Sequence, residues 1–332
     1  MRENQKKDEV IIPAYTSLSL VLAIKKAGFK PILCDISLDD FGLDYNLLER
    51  LITDKTLCIV GVHMFGIVSE GMNNLKERFP NLFIIEDCAQ ALGGSINGIP
   101  VGRLGDVSFF SFNRGKNLAT YGGGCIVTDS GDLAEAITQI FKNIKQEGYF
   151  FKLTIPVKIL IISLVTQPLI YGLLYPFLSL LRERRPKQDF KTRGYTDFQA
   201  KVAEVILEKI DYFSQLRYEN GMLLINGLKD IEGIILPVIS GNTQPAFNRL
   251  PILIKDLDKR RQIRQALDRI GIDTSYMYSK PLHWEFDLGY PKEDFPCANF
   301  CAQHILTLPV HPVTRKIDIQ RMLNVIHKVM QR

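Results

Sequence analysis

A lysine, an aspartate and a serine stand in this sequence where buried strands would end. The apolar run Val107–Ser111 leads into "SFNRGKNLATYGGG", which holds a lone Lys116 followed by Gly122, Gly123 and Gly124. A second apolar run, "LFIIED", ends on Asp87. A lysine amine condenses with an aldehyde, a buried aspartate keeps a pyridine nitrogen protonated, and Ser111 and Asn113 offer a hydroxyl and an amide to a phosphate. A Schiff-base lysine, a strand-end acid and a phosphate-binding serine are the groups that pyridoxal phosphate requires. Its ring drains electrons from a bound substrate only while the nitrogen stays cationic. The competing reading is a solvated lysine at a sheet rim. The glycines admit either a close ligand or a turn with positive φ.

Such groups need a frame. "EVIIPA", "PILCDI", "TLCIVGV", "LFIIED", "DVSFFSF" and "GCIVTD" read as strands, short apolar runs bounded by turn signals. Between them, "SLSLVLAIKKAGF" has a helical period and a stop at Gly28, Asp44 can cap "YNLLERLI", and "MNNLKERF" and "DLAEAITQIFKNIK" read as helices. This alternation predicts an α/β fold, a mainly parallel sheet with helices on both faces. Ligands of such sheets sit beyond the carboxyl ends of the strands, where Asp87 and the Lys116 turn fall. A smaller α/β region follows. "TDFQAKVAEVILEKIDYFSQLRYENGMLLINGL" has the period of one long helix or a kinked pair, "RLPILIK" of a strand, and "DKRRQIRQALDRIGI" and "IDIQRMLNVIHKVM" of helices. The domains expected are a large one over 1–145, an insertion over 146–190 and a smaller one over 191–332.

"EDCAQALGG" followed by "GIPVGRLGDVSFFSFNRGKNLATYGGGCIVTD" resembles the DegT/DnrJ/EryC1/StrS family of fold-type-I, pyridoxal-phosphate-dependent sugar aminotransferases. "VIIPAYTSLSLVLAIKKAGFKPILCDI", "GVHMFG", "YTDFQAKVAEVILEKID", "GIDTSYMYSKPLH" and "LTLPVHPVT" extend the likeness in the family's order, leaving only 146–190 outside it. The resemblance implies that Lys116 holds the cofactor and shuttles the proton, that Asp87 pairs with the pyridinium, that Gln90 meets the ring hydroxyl and that Ser111 binds phosphate. It implies a homodimer. The reaction implied takes an amino group from an amino acid, glutamate, to a nucleotide-linked keto-sugar, in cell-surface polysaccharide or amino-sugar biosynthesis. Relatives with histidine at the lysine position dehydrate instead, so Lys116 favours transamination.

Three places depart from the family pattern. Relatives carry, before the equivalent of "DEVIIPA", a Gly-Thr/Ser-x-Ala turn at a helix N-terminus that binds the cofactor phosphate; this sequence holds no such turn. Ser17 stands where relatives often stack an aromatic on the ring, with Tyr15 two residues earlier. Thr192 falls near an asparagine that reaches the phosphate of the other subunit. Ser17 stays among the cofactor-binding candidates. The alternative is a catalytically impaired member serving as a binding or scaffold subunit.

The 332 residues are 46% hydrophobic and 23% charged, with a net charge of +5. That is mild for the length and, without a basic stripe, excludes a nucleic-acid binder. The six cysteines read as reduced, and Cys34, Cys58, Cys88 and Cys125 as buried. Cys297, Cys301 and His304 make a thin case for a metal, and none is expected. The polar start lacks a secretory core, which places the chain in the cytoplasm. Residues 153–181 have Lys158 as their only charge, hold Pro156, Pro168 and Pro176, and are followed by the basic run Arg182–Lys187. They read as a re-entrant or interfacial hairpin at the inner membrane face, against an insertion packed on protein. His283 and His311 are candidate substrate contacts. Trp284, His63 and Arg114 have packing or solvent exposure as their default.

Overall fold

The computed structural model describes residues 7–144, 149–165, 167, 170 and 194–332. Its strands are β1 (Glu9–Pro13), β2 (Lys30–Cys34), β3 (Thr56–Val62), β4 (Phe83–Asp87), β5 (Ser95–Ile96), β6 (Ile99–Pro100), β7 (Val107–Ser111), β8 (Gly124–Val127), β9 (Ile234–Ile235), β10 (Thr243–Gln244), β11 (Leu250–Ile254) and β12 (Ile305–Leu308). Six form the main sheet in the order β2-β1-β3-β4-β7-β8. Neighbours from β2 to β7 run parallel, and β8 closes the edge antiparallel to β7. The fold is the expected α/β class. β9, β11 and β12 form a smaller antiparallel sheet.

The helices are α1 (Leu18–Lys26), α2 (Tyr45–Leu51), α3 (Leu75–Arg78), α4 (Gly131–Lys142), α5 (Tyr149–Val165), α6 (Asp197–Leu207), α7 (Ile210–Leu228), α8 (Leu257–Arg269), α9 (Leu282–Glu285), α10 (Pro296–His304) and α11 (Lys316–Met330). Ser17 caps α1, accepting from the Ser19 N–H, and Gly28 ends it at φ +82°. Asp44 caps α2 by accepting from the N–H groups of Asn46 and Leu47. The long helical stretch is a pair: Lys209, at φ −114° and ψ 8°, separates α6 from α7. "MNNLKERF" forms only one α-helical turn, because Asn74 leaves helical geometry and the residues before it tighten into a 3₁₀ turn.

Alternation along the strands divides the core. Ile11, Cys34, Ile59 and Ile84 face α2 and α3, whereas Val10, Ile12, Cys58 and Val60 face α1 and join the core of the small sheet. On that second face, cover is incomplete. Between α1 and α4 the strands leave an apolar groove of about 560 Å³ lined by Val60, Ile85, Phe109, Ile126 and Ile137 among others. Cys125 is exposed rather than buried, since β8 is an edge strand.

Candidate active site

Parallel pairing brings several strand ends to one rim. Val62 of β3 lies opposite Asp87 of β4, and Asp87 opposite Phe109 of β7. Ser111, the last residue of β7, sits two positions beyond Phe109. The Lys116 turn rises from this rim. Asp87 is 6% exposed, and burial raises its carboxyl above the usual range, while the Ala89 N–H, Lys116 and His63 pull it back. Lys116 is half-buried; burial lowers its amine, and Asp87 opposes that. The two charges therefore act on each other, yet they do not close into an ion pair within 4.0 Å. A buried acid and a partly buried amine thus sense each other at this rim without pairing directly.

Three further candidates stand at or just after the carboxyl ends of β4, β7 and β1. Gln90 is 5% exposed; its Nε2 donates to the Met64 sulfur at 3.2 Å, and its Oε1 has no partner. A buried amide oxygen without a donor is costly, and a bound hydroxyl would relieve it. Ser111 Oγ accepts only a long 3.4 Å bond from the Asn113 N–H. Ser17 Oγ lies 2.7 Å from Ser19 Oγ, and its side chain acts on the Tyr278 phenol. Burial and the Asp87 charge push that phenol up to about 12, although Ser17 opposes the shift. Tyr15 is fully buried, and its hydroxyl donates to the Tyr278 carbonyl at 3.0 Å. Tyr278, whose hydroxyl senses the Asp87 charge, was missed by sequence reasoning although it lies within "GIDTSYMYSKPLH".

The turn carrying Lys116 is braced from the rest of the fold. Asn117 Nδ2 donates to the carbonyls of Leu92 and Ala246, at 3.0 and 2.7 Å. Asn248 Nδ2 donates to the Gly115 carbonyl at 2.6 Å and to Asn117 Oδ1 at 3.2 Å. Arg217, 4% exposed, donates to the carbonyls of Phe247 and Asn248. The glycines serve the turn. Gly123 has φ +79°, and the Tyr195 ring packs where its side chain would be. Gln199 Nε2 then donates to the Thr120 carbonyl at 3.0 Å, locking this loop to the start of α6. Of Asn117, Gln199, Arg217 and Asn248, none was singled out from sequence.

Residues 2–154 and 184–327 match the profile of the DegT/DnrJ/EryC1/StrS aminotransferase family. The chain belongs to this family. It is, with the family, an enzyme. Among its relatives, the dTDP-3-amino-3,4,6-trideoxy-alpha-D-glucose transaminase of Streptomyces venezuelae is 28% identical, over 98% of this chain and 77% of that protein. The UDP-N-acetyl-3-dehydro-alpha-D-glucosamine 3-aminotransferase of Acidithiobacillus ferrooxidans is 26% identical, over 97% and 78%. The crystal structure of DesV from S. venezuelae superposes with a TM-score of 0.77 at 27% identity, covering 98% of this chain and 79% of that one. The PLP form of Spr1654 from Streptococcus pneumoniae shares the fold, with a TM-score of 0.74 at 24% identity over 98% and 81%.

In this aminotransferase the residue before Asp87 fixes the strand end. Glu86, fully buried, accepts from His63 Nε2 at 2.9 Å, the Gly102 and Leu104 N–H groups at 2.7 and 2.9 Å, and Ser108 Oγ at 2.9 Å. Burial would raise its carboxyl, but these donors, His63 first, hold it down at about 2. His63 Nδ1 accepts from the Ser69 N–H, so the ring is occupied at both nitrogens. His63, Glu86 and Cys88 cluster closely enough for a metal, but the histidine and carboxylate are already engaged, which makes the group structural. Glu86→Ala should strand these buried donors and lower unfolding free energy by roughly 2–4 kcal/mol, since a buried donor left without an acceptor costs about 1–3 kcal/mol. Urea titration would measure it; a loss below about 1 kcal/mol, an ordinary hydrogen bond's worth, would refute this role.

The remaining candidates are engaged with other groups or exposed. His283 Nε2 meets the Lys292 carbonyl at 3.3 Å and its ring packs on Phe295. Burial lowers it, and the charges acting on it are Asp294 and Asp35, not Lys116 or Asp87. Trp284 donates to the same Lys292 carbonyl. His311 stands beside Arg217, which connects it through Asn248 to the lysine turn; partial burial first, then the Arg217 charge, lower it. Arg114 is exposed. His304 bonds the Ile254 carbonyl and stacks on Phe300, away from a joint site with the two cysteines. Thr192, Pro168, Pro176 and the run Arg182–Lys187 lie outside the described residues.

Proposed function

We propose that this family member transfers an amino group from an amino acid, glutamate, to a nucleotide-linked keto-sugar, with pyridoxal 5'-phosphate as cofactor, in amino-sugar or cell-surface polysaccharide biosynthesis. The carrying observation is the separation of Lys116 from Asp87: mutually sensed charges, no ion pair. The printed activities of the S. venezuelae and A. ferrooxidans relatives, on dTDP- and UDP-linked sugars, support the substrate class.

When bound, pyridoxal phosphate supplies an aldehyde and a cationic ring that acidifies the substrate carbon. Asp87 would provide the anion that keeps the ring nitrogen protonated, from a buried position where such a charge acts strongly. Gln90 Oε1 gains a partner in the ring hydroxyl. Ser111 binds the phosphate, with Ser17 at the start of α1 as a further contact. Lys116 would hold the cofactor through its amine and would move the proton at the substrate carbon; burial lowers that amine, which favours the free base this needs. His283 and His311 are the proposed substrate contacts. A homodimer completes the reading, testable by light scattering.

The test is chemical. The full chain is incubated with pyridoxal phosphate, reduced with borohydride, digested and mapped by mass. A pyridoxyl group on the Lys116 peptide is expected. Labelling scattered over surface lysines, or none, would overturn the assignment and leave the scaffold reading. A panel of dTDP- and UDP-linked keto-sugars would then name the acceptor.

A further inference from the structure

The apolar insertion has no part in the chemistry above, and its described portion has an unusual surface. α5 buries Ile155, 4% exposed, and packs against α6. Its opposite side leaves Leu153, Val157, Leu160, Ile161 and Leu164 between 51% and 61% exposed. The spacing of these five, four then three then one then three residues, puts them on one face over three helical turns. A helix with this much open aliphatic surface is normally covered by something. Its charges are Lys152 and Lys158; it carries no acid. Lys142, at the end of α4, adds a third lysine nearby in sequence. None of the described helices is long and apolar enough to cross a membrane.

We propose that the exposed face of α5 docks the enzyme on an anionic lipid surface. Aliphatic side chains flanked by lysines, with no acid on the helix, match the boundary between acyl chains and negative headgroups. A partner protein or a second copy would be expected to need an acidic or polar complement to the lysines; a lipid headgroup layer supplies negative charge without shape. Sequence composition agrees, because residues 159–181 contain no charged side chain and basic residues follow them. Held there, the active site would work beside a bilayer while remaining on one side of it.

Vesicle flotation of the full chain tests this. Binding to vesicles of equimolar phosphatidylcholine and phosphatidylglycerol is expected, at least roughly tenfold stronger than to phosphatidylcholine alone, and weakened by salt. Leu160→Glu with Ile161→Glu should abolish flotation, with the thermal melt and the Lys116 adduct unchanged to show that the fold persists. Lys152→Glu with Lys158→Glu should remove the preference for the anionic lipid. No flotation with either vesicle would overturn the proposal, as would undiminished binding of the Leu160→Glu, Ile161→Glu variant. It is equally overturned if that variant merely turns a dimer into a monomer and lipid never binds, which would assign the face to a second copy.

Discussion

Lys116→Ala is expected to slow the glutamate half-reaction by roughly 10³-fold, the middle of the range for a positioned proton carrier. The argument rests on where the amine sits. Burial lowers it below an ordinary lysine, and the nearby Asp87 charge only partly restores it. It is therefore a base at a pH where a surface lysine is an acid. Lys116→Arg should be as inactive as the alanine variant, because guanidinium keeps the charge but gives up no proton. Methylamine should partly rescue alanine and not arginine, since only the smaller side chain leaves space for it. The conversion of the loaded enzyme with glutamate can be followed by absorbance. An alanine variant that keeps half the parent rate would end the proposed role of Lys116.

Much of the frame around that lysine was readable from residue order. Six strand runs, the stop at Gly28 and the Asp44 cap are local features, decided by alternation, positive φ and a side chain's own reach, and they form as expected. Asp87 and Ser111 could be placed on one rim because parallel strands put their carboxyl ends together. What brackets the lysine turn was not readable. Asn248 reaches Gly115 from 133 residues away, and Asn117 reaches Ala246 across 129. Asparagines in loops carry no periodic signal, and their partners here are backbone carbonyls, which every residue has. Tyr278 was hidden for a similar reason: its place within reach of the Asp87 charge follows from contacts between distant segments, including Tyr15 with the Tyr278 carbonyl.

The glycines show how a correct signal can carry two meanings. Their clustering required either a close ligand or an unusual turn, and no local rule separates these. In the folded chain Tyr195, 72 residues beyond Gly123, occupies the space, with its hydroxyl 2.7 Å from Thr120 Oγ1. The open groove between α1 and α4 marks a similar limit. Strand composition asks for cover on both faces, but how much cover the helices give depends on where they lie across the sheet.

Asp87→Asn separates a chemical role from a structural one. The parent carboxyl is raised above its ordinary 3.8 by burial. The folded state thus prefers the protonated acid, and stability falls as pH rises from 3.8 through the raised value. At neutral pH the ionised group costs folding free energy. Asparagine removes that cost and can still accept the Ala89 N–H, which lies 2.9 Å from Asp87 Oδ1. The cofactor-free variant should therefore melt no lower than the parent at pH 7, with any advantage shrinking as pH falls toward 3.8. Its activity should nevertheless drop roughly 10²–10³-fold, the usual cost of deleting one preorganised charge partner. A second effect follows at Lys116. Asp87 holds that amine up, so its loss lowers the amine further and increases the free base near neutrality. Modification of Lys116 by trinitrobenzenesulfonate should run faster in the variant, a readout independent of turnover. A variant that melts lower while keeping full activity would make Asp87 a scaffold residue. Faster lysine modification, unimpaired folding and lost turnover together are what a cofactor-facing acid requires.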